Sequence, residues 1–242
     1  MLIAGGFLVK NKVIQKYHLS PFTFYELYTY NFRKMFYLVK APYLLKKMYP
    51  ACIWNFKTDK KEIYLTFDDG PTPEVTWFVL GELKKYSALA TFFCIGKNAK
   101  DNPSLYKEII TQGHRTGNHT FNHLNGWRTN DNIYIENISL AKEVIHARLF
   151  RPPYGKITNF QIKILQGQKF GMKIIMWSVL SGDFDQKLTG EKCYKNVVRN
   201  AGPGSIIVFH DSRNAYSRLR YALPRVLEYY SDLGYQFKTI PG

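Results

Sequence analysis

From residue 61 onward, short unbroken apolar runs alternate with amphipathic stretches. The runs Glu62–Phe67, Ala90–Cys94, Arg115–Asn118, Leu149–Arg151, Lys173–Trp177, Ser205–Phe209 and Gln236–Thr239 predict strands. Between them, helical patterns cover Pro73–Tyr86, Pro103–Gln112, Ile133–Ala147, Asn159–Phe170, Glu191–Asn200 and Ser217–Leu233. Thr72–Pro73 and Asn102–Pro103 read as cap residues followed by proline at the first helical position, and Gly113 and Gly171 stand where helices would end. The strands are short and do not alternate apolar with polar. That predicts a parallel sheet covered by helices on its outer face. Seven such units point to an α/β fold, a distorted, incomplete (β/α)7 barrel of about seven parallel strands. An open doubly wound sheet is the alternative. In both, chemistry gathers at the C-terminal ends of the strands.

The polar residues at those ends are therefore the candidates. The first strand runs into Asp68–Asp69–Gly70–Pro71. Adjacent carboxylates repel, so such a pair needs a metal ion, an arginine or a shared proton. On its own the motif is more often a plain turn. The third strand is followed by His119 and His123, which a helical turn or compact loop brings together. With a carboxylate from another unit they make an Asp-His-His metal site. After the fourth strand, Arg151–Pro152–Pro153–Tyr154–Gly155 is a rigid loop. It can fix a backbone N–H as an oxyanion donor, and Arg151 can pair with one of the two carboxylates. His210 ends the sixth strand and is a candidate general acid.

These stretches together resemble the NodB-homology polysaccharide deacetylases, a family of carbohydrate esterases. The resemblance spans about residues 61–240. It rests on Thr66–Gly70 as TFDDG, on His119–His123 as H-S/T-x-x-H, on Arg151–Gly155 as R-P-P-Y-G, and on the apolar run ending at His210. It implies a distorted barrel and a divalent metal, most often zinc, held by Asp69, His119 and His123. It implies Asp68 as general base with Arg151 as its orienting partner. The Tyr154 backbone N–H becomes an oxyanion donor, and His210 becomes the acid that protonates the leaving amine. Pro152, Trp177 and Asp183 are the candidates for substrate contact. The fourth family motif departs: Leu180 stands where the family has Asp, and Phe184 where it has Trp. The family's Asp orients the catalytic histidine, so Asp183 or Asp185 must substitute, or His210 works without a charged partner.

Composition bounds the rest. The 242 residues are 45% hydrophobic and carry a net charge of +16. Residues 1–61 hold eleven lysines and arginines against two acids, a balance of +9. That favours an anionic partner, whether membrane surface, acidic polymer or nucleic acid. No nucleic-acid module is recognisable. Nine Phe and Tyr residues fall between Tyr17 and Tyr37. Residues 1–60 thus read as an N-terminal extension, a packed flap or a membrane-surface segment with contact through residues 1–50, ahead of a deacetylase domain at 61–242. Cys52, Cys94 and Cys193 are widely spaced and predict buried free thiols. No apolar run reaches a membrane-spanning length, and Leu2–Val9 makes a poor secretory signal.

The reading that unites these features is a metal-dependent, monomeric hydrolase that removes N-acetyl groups from an amino-sugar polymer. Peptidoglycan or a related cell-surface glycan comes first, then chitin oligomers or acetylated xylan. A glycan substrate slightly favours the cell envelope. The alternatives are a deformylase or deacetylase of a lipid-linked sugar, a cyclic-amide hydrolase, a decayed glycan-binding homologue, and an iron oxygenase. The last leaves Asp68 and His210 without roles.

Overall fold

The structure, a computed structural model, describes residues 37–242. The expectations placed on residues 1–36 lie outside the described residues. The elements in chain order are α1 (Tyr43–Met48), β1 (Glu62–Asp68), α2 (Pro73–Lys85), β2 (Ala90–Cys94), α3 (Gly96–Asp101), α4 (Pro103–Thr111), β3 (Arg115–Asn118), α5 (Asp131–Lys142), β4 (Leu149–Phe150), α6 (Asn159–Gln166), β5 (Lys173–Ile174), β6 (Val179–Leu180), α7 (Gly190–Val198), β7 (Ile206–His210), α8 (Tyr216–Asp232) and β8 (Gln236–Phe237). Strand order is β5-β4-β3-β2-β1-β7-β6, and β8 pairs with the start of β1. Every strand pair is parallel. This is the expected curled, incomplete α/β barrel.

The two faces of β1 show how the sequence makes inside and outside. Ile63, Leu65 and Phe67 join the core under α2 and α8, with Val79, Leu83, Leu219 and Leu223. The alternate residues point the other way, as the pleat requires. Tyr64 meets Phe93, Ile175 and Ile206 on the inner face, and Thr66 and Asp68 contact a buried arginine there. A strand that is apolar on both faces therefore still delivers its last inner residue, Asp68, to the barrel mouth.

Three expectations need correction. The run Lys173–Trp177 is not one strand. β5 stops at Ile174, and the Ile175 and Met176 carbonyls that follow accept from Arg151. The chain then re-enters the sheet as β6, where a loop was expected. Its partner on one side is a segment distant in sequence: Leu180 donates to the Val39 carbonyl, and Ala41 donates to Ser178. α3 was not anticipated, being too polar for an amphipathic pattern. Thr72 does occupy the N-cap of α2, but its side chain makes no capping bond.

The described part of the proposed extension lies against the sheet. Ile53 bridges Ile175 and Asn55 bridges Ser205. Trp54 and Cys52 are buried among Phe150, Ile174, Leu165 and Met176. All three cysteines are buried and free. We expect Trp54→Ala to lower stability by about 3–5 kcal/mol, the usual cost of emptying a buried aromatic site. Urea unfolding checks this, and a loss below about 1 kcal/mol would separate residues 51–56 from the core.

Candidate active site

The register of the sheet assembles the site. Asp68 and His210 are direct partners across β1 and β7. Cys94, at the end of β2, is level with Asn118 at the end of β3, and Asn118 with Phe150 of β4. The residues that follow these ends, Asp69, His119 and Arg151, therefore converge on one mouth.

Arg151 is the central side chain. It is fully buried. Its Nη1 donates to Asp68 Oδ1 and Thr66 Oγ1, both at 2.7 Å, its Nη2 to Met176 O at 2.9 Å, and its Nε to Ile175 O at 3.3 Å. The guanidinium lies 4.1 Å from the centre of the Phe93 ring. Asp68 is thus held through one oxygen, and among the described residues Oδ2 has no hydrogen-bond partner.

Beside it, Asp69, His119 and His123 form a cluster whose ligand atoms all lie within 4.8 Å of one another. Asp69 Oδ1 stands 3.8 Å from His119 Nε2 and 3.2 Å from His123 Nε2. This oxygen is buried and accepts no well-formed hydrogen bond. A buried carboxylate oxygen without a donor, facing two imidazole nitrogens, fits a divalent cation. The outer nitrogens are fixed as metal-binding histidines require: His119 Nδ1 lies 2.7 Å from Arg151 O, and His123 Nδ1 lies 3.0 Å from the Tyr154 hydroxyl. Burial, with neighbouring His123, lowers the His119 pKa to about 4, although both aspartates oppose it. Burial alone would raise the Asp69 pKa, yet His123, His210 and His119 hold it well below the usual carboxylate range.

His210 has its own counter-charge. Asp183 accepts from the His210 backbone N–H and stands against its Nδ1, both at 2.8 Å. Burial would lower the His210 pKa, but Asp183, Asp69 and Asp68 push it up to about 10. The sequence left open which residue partners this histidine; it is Asp183. Leu180 lies in β6, three residues too early to reach it. Asp183 is itself wholly buried, so its expected substrate contact is corrected: it stands behind His210 rather than in the mouth. Phe184 packs edge-on against the His210 ring at 5.2 Å.

The loop after β4 behaves as its prolines predict. Pro152 is buried. Pro153–Gly155 forms a single 3-10 turn in which Tyr154 is left-handed, at φ 59°. The Tyr154 N–H has no hydrogen-bond partner among the described residues, and its ring is 61% exposed. Trp177 sits beneath this turn, where a Cβ on Gly155 would strike its ring. Non-glycine residues with positive φ are uncommon, and of five described here, Asp69, Thr120, His123 and Tyr154 belong to these loops.

Sequence reasoning missed the supports. Asp211 accepts from Gly70 N at 3.0 Å and from Thr76 Oγ1 at 2.5 Å, and a Cβ on Gly70 would overlap its carboxyl. Asn98 donates to the Asp69 carbonyl, and the Asn137 side chain accepts from Phe121 and Asn122. Arg218 of α8 donates to the Asp183 carbonyl at 2.6 Å. These residues carry no local signal. Asp211, one residue past His210, was the only one placed to be suspected.

Comparison with known proteins places this arrangement. A sequence model described as polysaccharide deacetylase matches residues 55–174. The chain is 31% identical to a peptidoglycan-N-acetylglucosamine deacetylase of Bacillus cereus, over 99% of this chain and 80% of the relative. It is 38% identical to a chitooligosaccharide deacetylase of Azorhizobium caulinodans, over 63% of this chain and 75% of the relative. Among solved structures, a peptidoglycan N-acetylglucosamine deacetylase in complex with 4-naphthalen-1-yl-N-oxidanyl-benzamide superposes with a TM-score of 0.76 at 31% identity, covering 83% of this chain and 95% of the other. A CE4 family pseudoenzyme from Bacillus anthracis reaches 0.68 at 26% identity, covering 81% and 69%. Shape is thus shared with a protein called inactive, so activity has to be argued from side chains.

The Asp211 pKa is pushed up to about 7, by burial first and then by the Asp69 charge, against the bonds from Thr76 and Gly70. A carboxyl with a raised folded-state pKa is favoured protonated. The unfolded chain releases that proton near pH 4, so stability falls as pH rises from about 4 to about 7. Asparagine mimics the protonated form, so Asp211→Asn is expected to flatten that fall. Urea midpoints across this window check it.

Proposed function

The chain belongs to the polysaccharide deacetylase family, and from that premise we propose that it is a hydrolase removing N-acetyl groups from an amino-sugar glycan. A peptidoglycan-like strand is the first substrate and chitin oligomers the second. The observation that carries the reading is the pairing of Asp68 with His210 across β1 and β7, each with its own buried counter-charge. A carboxylate and an imidazole set side by side on neighbouring strands can serve as base and acid. Arg151 sets a counter-charge against Asp68 Oδ1, and Asp183 keeps His210 protonated.

Asp69, His119 and His123 are the residues that would hold a divalent ion, with zinc favoured by the two nitrogens and one carboxylate. Such an ion polarises an acyl carbonyl and makes a water more acidic. The protein's own groups do the rest. Asp68 Oδ2, free of other partners, takes the proton of the attacking water. Arg151 fixes Oδ1 so that the free oxygen faces the reaction. The Tyr154 N–H, presented by the left-handed turn, donates to the negative charge that develops on the acyl oxygen. His210 gives its Nε2 proton to the amide nitrogen as the C–N bond breaks, yielding acetate and a free amine. Asp183 stabilises the imidazolium before that transfer.

Chelator-sensitive release of acetate from N-acetylglucosamine oligomers tests the reading. Asp68→Asn and His210→Ala should each lower kcat by about 100-fold or more, and full activity in either would remove its assigned role. Asp183→Asn has a signed outcome. Without the carboxylate the imidazolium loses its proton at lower pH, so the alkaline limb of the kcat profile should move down.

A second reading concerns α1. Tyr43, Leu44 and Met48 are exposed there, next to Lys40, Lys46 and Lys47. With the +9 charge of residues 1–61, this supports contact with an anionic membrane surface. Co-sedimentation with phosphatidylglycerol vesicles, lost in Leu44→Glu/Met48→Glu, is the expected result.

A further inference from the structure

The largest exposed aromatic side chain near the metal-ligand loops is one the reaction does not use. Trp127 is 55% exposed, yet it is held in place. Its Nε1–H donates to Ile157 O at 2.9 Å, and its backbone N–H donates to Asn125 Oδ1 at 3.0 Å. The Lys156 ammonium lies 4.0 Å from its ring centre. The preceding residue is clamped too: Gly126 donates to Lys156 O at 3.2 Å and accepts from Gln161 Nε2 at 2.8 Å. A Cβ at 126 would collide with Lys156 O, so the two loops meet backbone to backbone.

These are the loops of the site. Trp127 lies four residues after His123, and Lys156 two after Tyr154, whose hydroxyl contacts His123. An exposed indole fixed by its own N–H is a pre-ordered flat surface and loses little freedom when something stacks on it. A single exposed aromatic is ordinary on a protein surface. One that is pinned at both ends, paired with a cation and joined to the loop of a metal ligand is built for binding.

We propose that Trp127 and Lys156 form a glycan platform beside the reaction centre, the indole stacking on a sugar ring and the ammonium reading a carboxylate on the chain. This rests on the deacetylase reading and names its substrate class: an amino-sugar polymer bearing carboxylates, in keeping with a net charge of +16.

The test uses the full chain, loaded with zinc, on two probes: a neutral N-acetylglucosamine oligomer, and a peptidoglycan glycan strand of similar length carrying lactyl carboxylates. Trp127→Ala should raise KM about 10-fold on both with kcat within about twofold, the pattern of lost ground-state binding. Trp127→Phe, which keeps an aromatic face, should recover most of the loss. Lys156→Gln should raise KM on the carboxylated strand alone and weaken its salt dependence. Unchanged KM in Trp127→Ala overturns the platform. An equal effect of Lys156→Gln on both probes overturns the carboxylate reading. Calorimetric binding of both probes to chelated protein separates the two levels. If acetate is not released but wild type still binds and Trp127→Ala does not, the platform stands and the deacetylase reading falls.

Discussion

Everything at the mouth of this barrel depends on one buried ion pair, Arg151 with Asp68. Taking both charges out of water is expensive, and the pair persists only because the surrounding lone pairs and protons are matched. Thr66, the Ile175 and Met176 carbonyls and the Phe93 ring supply that matching. The Ile175 and Met176 carbonyls accept from the guanidinium just past Ile174, where β5 ends, so the support of Arg151 comes from the segment between β5 and β6. Residues 39–41, pairing with Ser178 and Leu180, cover the edge of β6 that faces away from β7.

The site divides its charges by geometry. Asp68 and Asp69 are adjacent in sequence, but the left-handed backbone at Asp69, φ 83°, turns it away from its neighbour. One carboxylate then faces an arginine and the other two imidazoles. Gly70, pressed against Asp211, closes the turn that makes this possible. Repulsion between neighbouring carboxylates is relieved by sending them to different partners rather than by sharing a proton.

Much of this was legible in the chain. The unalternating apolar runs gave the parallel sheet, and strand ends gave Asp68, Asp69, His119, His123, Arg151 and His210. What was not legible depended on long-range contacts. Arg151 bonds the segment after β5 from 24 residues earlier, and β6 pairs with residues 39–41 on one side and β7 on the other. The family pattern puts its aspartate at Leu180, which leaves Asp183 and Asp185 as the alternatives for the partner of His210. The turn Ser181–Gly182–Asp183 decides it, with Gly182 at φ 81° swinging Asp183 under the ring. The platform residues Trp127 and Lys156 lie in loops whose meeting no periodicity encodes.

The bond from Arg218 to the Asp183 carbonyl links a helix remote in sequence to the residue that partners His210. α8 packs on α7, and its Arg218 reaches the Asp183 backbone. The loop that carries Asp183 is therefore anchored to the outer helical layer through Arg218 as well as to the end of β7 through His210.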